Sequence, residues 1–237
     1  MIAPFPGHAT MRDVVAICLD LDDTLWAVGP AIERAEQALL EWLGQHCPRV
    51  TDLHDLASMR SLRARVAEEF PGMRHDFTFL RREALLRHAR QAGYPESVAD
   101  QAFEVFYAVR NQVEPFADVV PALERLGRRY RLMSLSNGNA DLGVIGLAQF
   151  FEHSVAAREA GAAKPDRRIF DSLLDRAGLE PGQVAYVGDD PHADVEGARS
   201  AGLHAVWMDR FGRVWPEGLS PPACRVRNLE ELAALLG

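Results

Sequence analysis

Residues 14–25 read VVAICLDLDDTL: an unbroken apolar run, Val14 to Leu19, that ends on three carboxylates within four positions, Asp20, Asp22 and Asp23. A short apolar run rich in β-branched residues reads as a strand buried on both faces, as strands of parallel sheets are. Carboxylates crowded at its carboxyl end raise one another's pKa and destabilise the fold unless a cation lies between them. An oxygen-rich set of this kind suits Mg²⁺. An EF-hand does not fit, because Leu25 stands where that loop needs glycine. Taken alone, the cluster is as well explained by a solvated acidic turn or a helix cap.

Working outward, apolar runs recur at Tyr130 to Leu135, Val184 to Val187 and Ala205 to Met208, with weaker ones at His153 to Ala156 and Cys224 to Val226. Helical patterns alternate with them at Asp118 to Arg128, Ala140 to Phe150, Asp166 to Ala177, His192 to Ala201 and Asn228 to Leu236. Strand and helix in alternation predict an α/β fold, a doubly wound parallel sheet. Trp26 to Glu114 breaks the rhythm and contains no good strand. It carries four amphipathic patterns: one led by Pro30 with Ile32, Ala35, Leu39, Trp42 and Leu43 on one face, one with Leu56, Leu62, Val66 and Phe70, then Phe77 to Gln91 and Pro95 to Val113. The expectation is a helical bundle inserted as a lid, residues 27–114, in a core built from 13–26 and 115–237. Its apolar stripes read as bundle core rather than as a cofactor box. No internal repeat or low-complexity segment is visible.

Three further strand ends carry polar chemistry. Gly188-Asp189-Asp190-Pro191-His192-Ala193-Asp194 follows an apolar run and precedes a helix. Asp190 and Asp194 each fit a helix cap as well as a supporting role beside a metal ligand. Ser136-Asn137-Gly138 could present donors to an anion, although it is also ordinary turn chemistry. Ala163-Lys164-Pro165-Asp166 contains the sole lysine of a chain whose other 25 cations among the 26 are arginine. A compact ammonium retained where every other cation is a guanidinium suggests a crowded anionic site, against the plain alternative of a surface lysine.

The 237 residues are 48% hydrophobic and 25% charged, ordinary globular composition. A formal charge of −8 argues against a nucleic-acid polymer as partner, but not against a small anion held by a local cation. Cys18, Cys47 and Cys224 show no zinc spacing and suit a reducing, cytoplasmic setting. No apolar stretch has the length of a membrane span, and residues 1 to about 12 read as an irregular leader.

Asp-x-Asp-x-Thr after the first strand, Ser136 after the second, Lys164-Pro165 before a helix and Gly188-Asp189-Asp190 with Asp194 after a later strand match, in order, the four motifs of the haloacid dehalogenase-like (HAD) hydrolases. The chain resembles that family over roughly residues 14 to 236, including Gly197 to Gly202 and Val206 to Arg210, and the helical insertion is similar to its C1 cap. The resemblance implies a Rossmann-like core and a Mg²⁺-dependent phosphatase acting through an aspartyl-phosphate. Asp20 would be the nucleophile and Asp22 the acid/base, and Lys164 would neutralise both Asp20 and the phosphate. Ser136 and the Asn137 backbone amide would hold phosphate oxygens. The metal would lie on Asp20, the Asp22 carbonyl and Asp189. The implied partner is a small phosphorylated metabolite. The lid, with hinges flanking Trp26 to Gly29 and Val113 to Phe116, would exclude water and choose substrate. Its arginines Arg60, Arg63, Arg81 and Arg82 are candidate contacts, although arginine on a helix is usually a solvated face. A haloacid dehalogenase, a sugar phosphomutase and a non-catalytic phosphate-binding regulatory module are the alternatives. Asp22 argues against the first, since such dehalogenases lack an acid two residues after the nucleophile. Substrate identity and oligomeric state are not legible.

Overall fold

The computed structural model describes residues 11–236. Most of the expected leader lies outside them, and Met11–Asp13 forms a short 3-10 turn. Six strands, β1 (Ala16–Leu19), β2 (Arg131–Ser136), β3 (His153–Ala156), β4 (Val184–Gly188), β5 (His204–Met208) and β6 (Cys224–Val226), form one sheet in the order β3-β2-β1-β4-β5-β6. Every pairing is parallel. Central β1 pairs Ala16–Leu19 with Arg131–Ser134 on one side and Val184–Val187 on the other.

That centrality explains the unbroken apolar runs. Side chains alternate between faces, so a strand covered on both sides has no position for a polar residue. Ala16, Cys18, Met133, Leu135, Val184 and Tyr186 share one face and pack with Ile169, Phe170 and Leu173 of the helix Arg167–Ala177. Asp166 starts that helix by accepting the Arg168 N–H, and Gly178, at φ 63°, ends it.

Two compact units divide the chain: the sheet unit, which takes the chain up to Ala27 with Glu114–Gly138 and Gly146–Gly237, and a helical unit of Val28–Val113 with Asn139–Ile145. Relative to the expected boundaries, Asn139–Ile145 moves to the helical unit. The helical unit holds α1 (Val28–His46), α2 (Pro48–Leu53), α3 (Leu56–Glu69), α4 (Phe77–Gln91) and α5 (Ser97–Arg110). Five helices replace the four expected, because Pro48 opens a separate short helix after α1. Asp55 and Asp76 cap α3 and α4 by accepting the N–H groups of Ser58 and Phe79. Ala35, Leu39, Leu43, Leu85, Phe103 and Phe106 form the unit's main core, so the stripes of α1 and α5 are bundle core as read, whereas on α3 Val66 packs in a smaller cluster with Leu80 and Ala84 and Phe70 stays exposed.

One expected helix fails. Ala140 to Phe150 forms only the single turn Leu142–Ile145 and a 3-10 turn, Ala148–Phe150, with Gly146 between them at φ 84°. A glycine in that conformation ends a helix rather than extending it.

Candidate active site

The order of strands reverses between β1 and β4, and the crevice beyond the carboxyl ends at such a reversal is where open α/β sheets bind ligands. Asp20 follows β1 directly and Asp189 follows β4 directly. After Asp20 the chain turns tightly: Asp23 lies at φ 58°, and its N–H donates to the Trp26 carbonyl at 2.8 Å. The turn is the physical use of Asp-Asp-Thr, since aspartate tolerates the left-handed region better than most residues.

The carboxylates of Asp20, Asp189 and Asp194 are all buried, with one oxygen from each within 4.8 Å of the others. Lys164 supplies their counter-charge. Its buried ammonium donates to Asp20 Oδ1 at 2.6 Å, to Asp194 Oδ1 at 2.7 Å and to the Tyr186 hydroxyl at 2.9 Å. Burial opposes its charge, yet the two aspartates hold its pKa above the ordinary value. Burial, reinforced by Asp194, pushes Asp20 well up against the pull of Lys164. Asp189 is raised to about 7 by burial and by the charges of Asp194 and Asp23, with Arg213 opposing. Arg213 Nη1 donates to Asp189 Oδ2 at 2.8 Å. Lys164 on Asp20 and Asp194 and Arg213 on Asp189 bring two positive charges to three buried carboxylates, which leaves room for another cation. An all-oxygen donor set is what Mg²⁺ takes, so the residues present fit that ion.

The remaining expected residues fall as follows. The Asp22 carboxylate accepts the Trp26 indole N–H at 2.8 Å and is not one of the three clustered carboxylates. Ser136 is buried, and its Oγ accepts the Gly138 N–H at 2.9 Å. The Asn137 amide clasps the backbone of Lys164 from both sides, accepting its N–H at 2.7 Å and donating to its carbonyl at 3.0 Å. Asn137 thus sets where Lys164 stands, a role the sequence did not indicate. Asp190 proves to be the cap, accepting the N–H groups of His192 and Ala193, whereas Asp194 belongs to the charged cluster. Gly188 makes room for that carboxylate, because a Cβ at this position would run into it.

Two participants had no clear signal. Tyr186 sits within an apolar strand; its hydroxyl donates to Asp194 Oδ1 at 2.9 Å, and the hint was a phenol in a run otherwise without polar side chains. The Trp207 indole N–H donates to the Asp189 carbonyl at 2.9 Å and fixes the turn that presents it. Among the arginines of the helical unit, Arg82 pairs with exposed Asp100, while Arg60, Arg63 and Arg81 gather on buried Glu36.

Doubly wound sheet, carboxylates at the strand reversal and a buried lysine together describe a hydrolase of α/β architecture. The chain belongs to the haloacid dehalogenase-like hydrolases, whose family model matches residues 14–202. It is 28% identical over 199 residues to the Escherichia coli 5-amino-6-(5-phospho-D-ribitylamino)uracil phosphatase YigB, covering 82% of this chain and 83% of that protein. It is 36% identical over 159 residues to the Thermus thermophilus phosphoserine phosphatase, covering 64% and 63% respectively. Among solved structures, a 2-haloacid dehalogenase from Pseudomonas syringae superposes with a TM-score of 0.89 at 36% identity, over 94% of this chain and 98% of that one. No helix among the described residues is long and apolar enough to cross a membrane.

Proposed function

We propose that the protein is a Mg²⁺-dependent phosphatase that hydrolyses a small phosphorylated metabolite through an aspartyl-phosphate on Asp20. The observation that carries this reading is the separation of two carboxyl groups only two residues apart: Asp20 lies in the buried cluster on Lys164, whereas Asp22 is held outside it by Trp26. One suits a nucleophile and the other an acid/base, two tasks that a single carboxyl cannot perform in the same step. Asp20 attacks phosphorus, the bond to the leaving oxygen breaks, and Asp22 gives that oxygen its proton. Asp22, now a carboxylate, takes a proton from the water that cleaves the acyl phosphate, and Asp20 is regenerated. Lys164 screens Asp20 from the anion it attacks. The Ser136 hydroxyl already accepts from Gly138, which leaves its own proton for a phosphate oxygen. The Asn137 side chain is committed to Lys164, so the backbone N–H is its contact with phosphate. Asp20 and Asp189, with the Asp22 carbonyl, would hold Mg²⁺, with Asp194 beside them; the ion would reduce repulsion between nucleophile and phosphate. Three free cysteines suit a reducing, cytoplasmic setting.

A haloacid dehalogenase is the second reading, favoured by the Pseudomonas syringae structure. The test measures inorganic phosphate from a phosphate-ester panel and halide from 2-haloacids, each with Mg²⁺ and with EDTA. Phosphate release that EDTA abolishes, and that Asp20→Asn lowers roughly 10³-fold or more, is expected. Halide release indifferent to EDTA, without phosphate release, would overturn the proposal.

A further inference from the structure

Asp189 is held from two directions. The Trp207 indole fixes its backbone carbonyl, and Arg213 takes its carboxylate, Nη1 donating to Oδ2 at 2.8 Å. The same guanidinium reaches a second strand end, with Nη2 at 3.5 Å from Asp23 Oδ2. One side chain thus ties the turn after β1 to the turn after β4, across the strand reversal. All of these residues belong to the sheet unit.

The loop that carries Arg213 is itself fastened. β5 ends at Met208, and the buried Asp209 that follows accepts the Arg213 N–H at 2.8 Å. Arg225 of β6 donates to the other oxygen of Asp209, Nε at 3.1 Å. Gly212 makes the turn between Asp209 and Arg213 at φ 69°, a conformation that favours glycine. The Arg213 guanidinium carbon lies 5.1 Å from the centre of the Phe211 ring. The guanidinium is therefore presented from a braced loop, although the side chain is 44% exposed. An ion pair that open to water stabilises a fold little, so stability alone does not account for the bracing. Which oxygen the arginine takes has a chemical consequence.

A carboxylate can offer a cation one oxygen or both. Ca²⁺ accepts carboxylates either way in a flexible shell of about 6–8 oxygens, whereas Mg²⁺ demands near-octahedral geometry and takes few protein ligands. An ion on both oxygens of Asp189 would share Oδ2 with the guanidinium, bringing like charges onto one atom. An ion on Oδ1 alone would not. We propose that Arg213 is a positioning residue that reserves Asp189 for ligation through a single oxygen and thereby biases the cluster toward Mg²⁺ over Ca²⁺. This deepens the phosphatase reading and rests on the metal site it assigns.

Titration calorimetry of Mg²⁺ and of Ca²⁺ into the full-length protein, Arg213→Met, Arg213→Lys and Arg176→Met reads the ratio of the two dissociation constants. Methionine keeps the stem and removes every donor, and lysine can keep one donor on Oδ2. Arg176, on the helix Arg167–Ala177 and paired with exposed Glu159, repeats the charge change away from the cluster. Arg213→Met should move the ratio toward Ca²⁺ roughly fivefold or more, the scale on which residues that orient a metal ligand act. Arg213→Lys should stay near the wild-type ratio, and Arg176→Met should leave it unchanged. Loss of a positive charge as such would tighten both ions alike, and a loosened fold would weaken both alike. An unchanged ratio in Arg213→Met, or an equal shift in Arg176→Met, would therefore overturn the proposal. Thermal unfolding without metal verifies each fold, and Arg213→Gln replaces Arg213→Met if the latter fails to fold. Phosphate release from an ester panel distinguishes this inference from the reading beneath it. A shifted ratio without phosphate release from any ester would sink the phosphatase reading and leave the role of Arg213 standing. Mg²⁺-dependent phosphate release with an unchanged ratio would do the reverse, and binding of neither ion would overturn both.

Discussion

Lys164 donates to Asp20, Asp194 and Tyr186 from a position only 6% exposed, so its removal would leave two carboxylates buried against each other with no near cation. Breaking a buried pair from one side costs about 3–5 kcal/mol, because the remaining charge is stranded. Lys164→Ala should lose that much in urea denaturation at neutral pH, and Asp194→Asn in the same background should recover part of it, a coupling that a double-mutant cycle reads directly. Lys164→Arg should not rescue activity, since a planar fork cannot place three donors around one point. A neighbouring test is Gly188→Ala: the new methyl meets the Asp194 carboxylate, and overpacking of about 1–3 kcal/mol should appear as a lower melting temperature. The sequence marked Lys164 by its solitude and Asp20 and Asp189 by their strand ends. It did not separate Asp190 from Asp194, because an aspartate that caps a helix and one that turns inward four residues later look alike until the backbone fixes which way each points.

Among the elements, α4 carries a strain of a different kind. His88 is 2% exposed, its ring lies 4.2 Å from that of His54, and neither of its nitrogens finds a hydrogen-bond partner. Burial, with His54 and Arg65 nearby, lowers its pKa from 6.5 to about 4. Between those values the unfolded chain takes up a proton that the folded helix refuses, so stability falls as pH drops through the window and the loss is complete below it. Unfolding by urea should show a lower midpoint at pH 5 than at pH 7.5, and His88→Leu should flatten that part of the difference; a variant with the same pH dependence as wild type would exclude His88 as its source. Helices of this unit were legible because bundle cores impose a 3.6-residue repeat, as Ala35, Leu39 and Leu43 show. The Ala140 to Phe150 pattern misled because its apolar residues keep that spacing while Gly146 adopts φ 84°, and spacing does not reveal the sign of a dihedral.

For the molecule as a whole, a formal charge of −8 is unevenly used: three aspartates sit buried beyond the carboxyl ends of the central strands, where, among the described residues, Lys164 and Arg213 pair with them. A fold that buries like charges together stores repulsion, and any cation that binds the folded state but not the unfolded one releases it. Mg²⁺ should therefore stabilise the protein before any substrate is added. At a concentration about 100 times its Kd the gain is about 2.7 kcal/mol for the state that holds it, enough to raise the melting temperature by several degrees. Asp189→Asn should abolish the shift, since it removes a ligand from the cluster, whereas Asp22→Asn should retain most of it, because the role proposed for that residue toward the ion belongs to its backbone carbonyl. Calcium should substitute poorly in catalysis even where it stabilises, because its larger shell tolerates geometries in which nucleophile and phosphate are not aligned. Scanning fluorimetry with and without EDTA measures the stabilisation without knowledge of the substrate, and phosphate release from an ester panel with Ca²⁺ in place of Mg²⁺ measures the catalytic difference. A melting temperature indifferent to Mg²⁺ would remove the support that the carboxylate cluster lends to metal-dependent phosphate hydrolysis and shift the weight to the dehalogenase reading, in which Asp20 attacks carbon and no metal is needed.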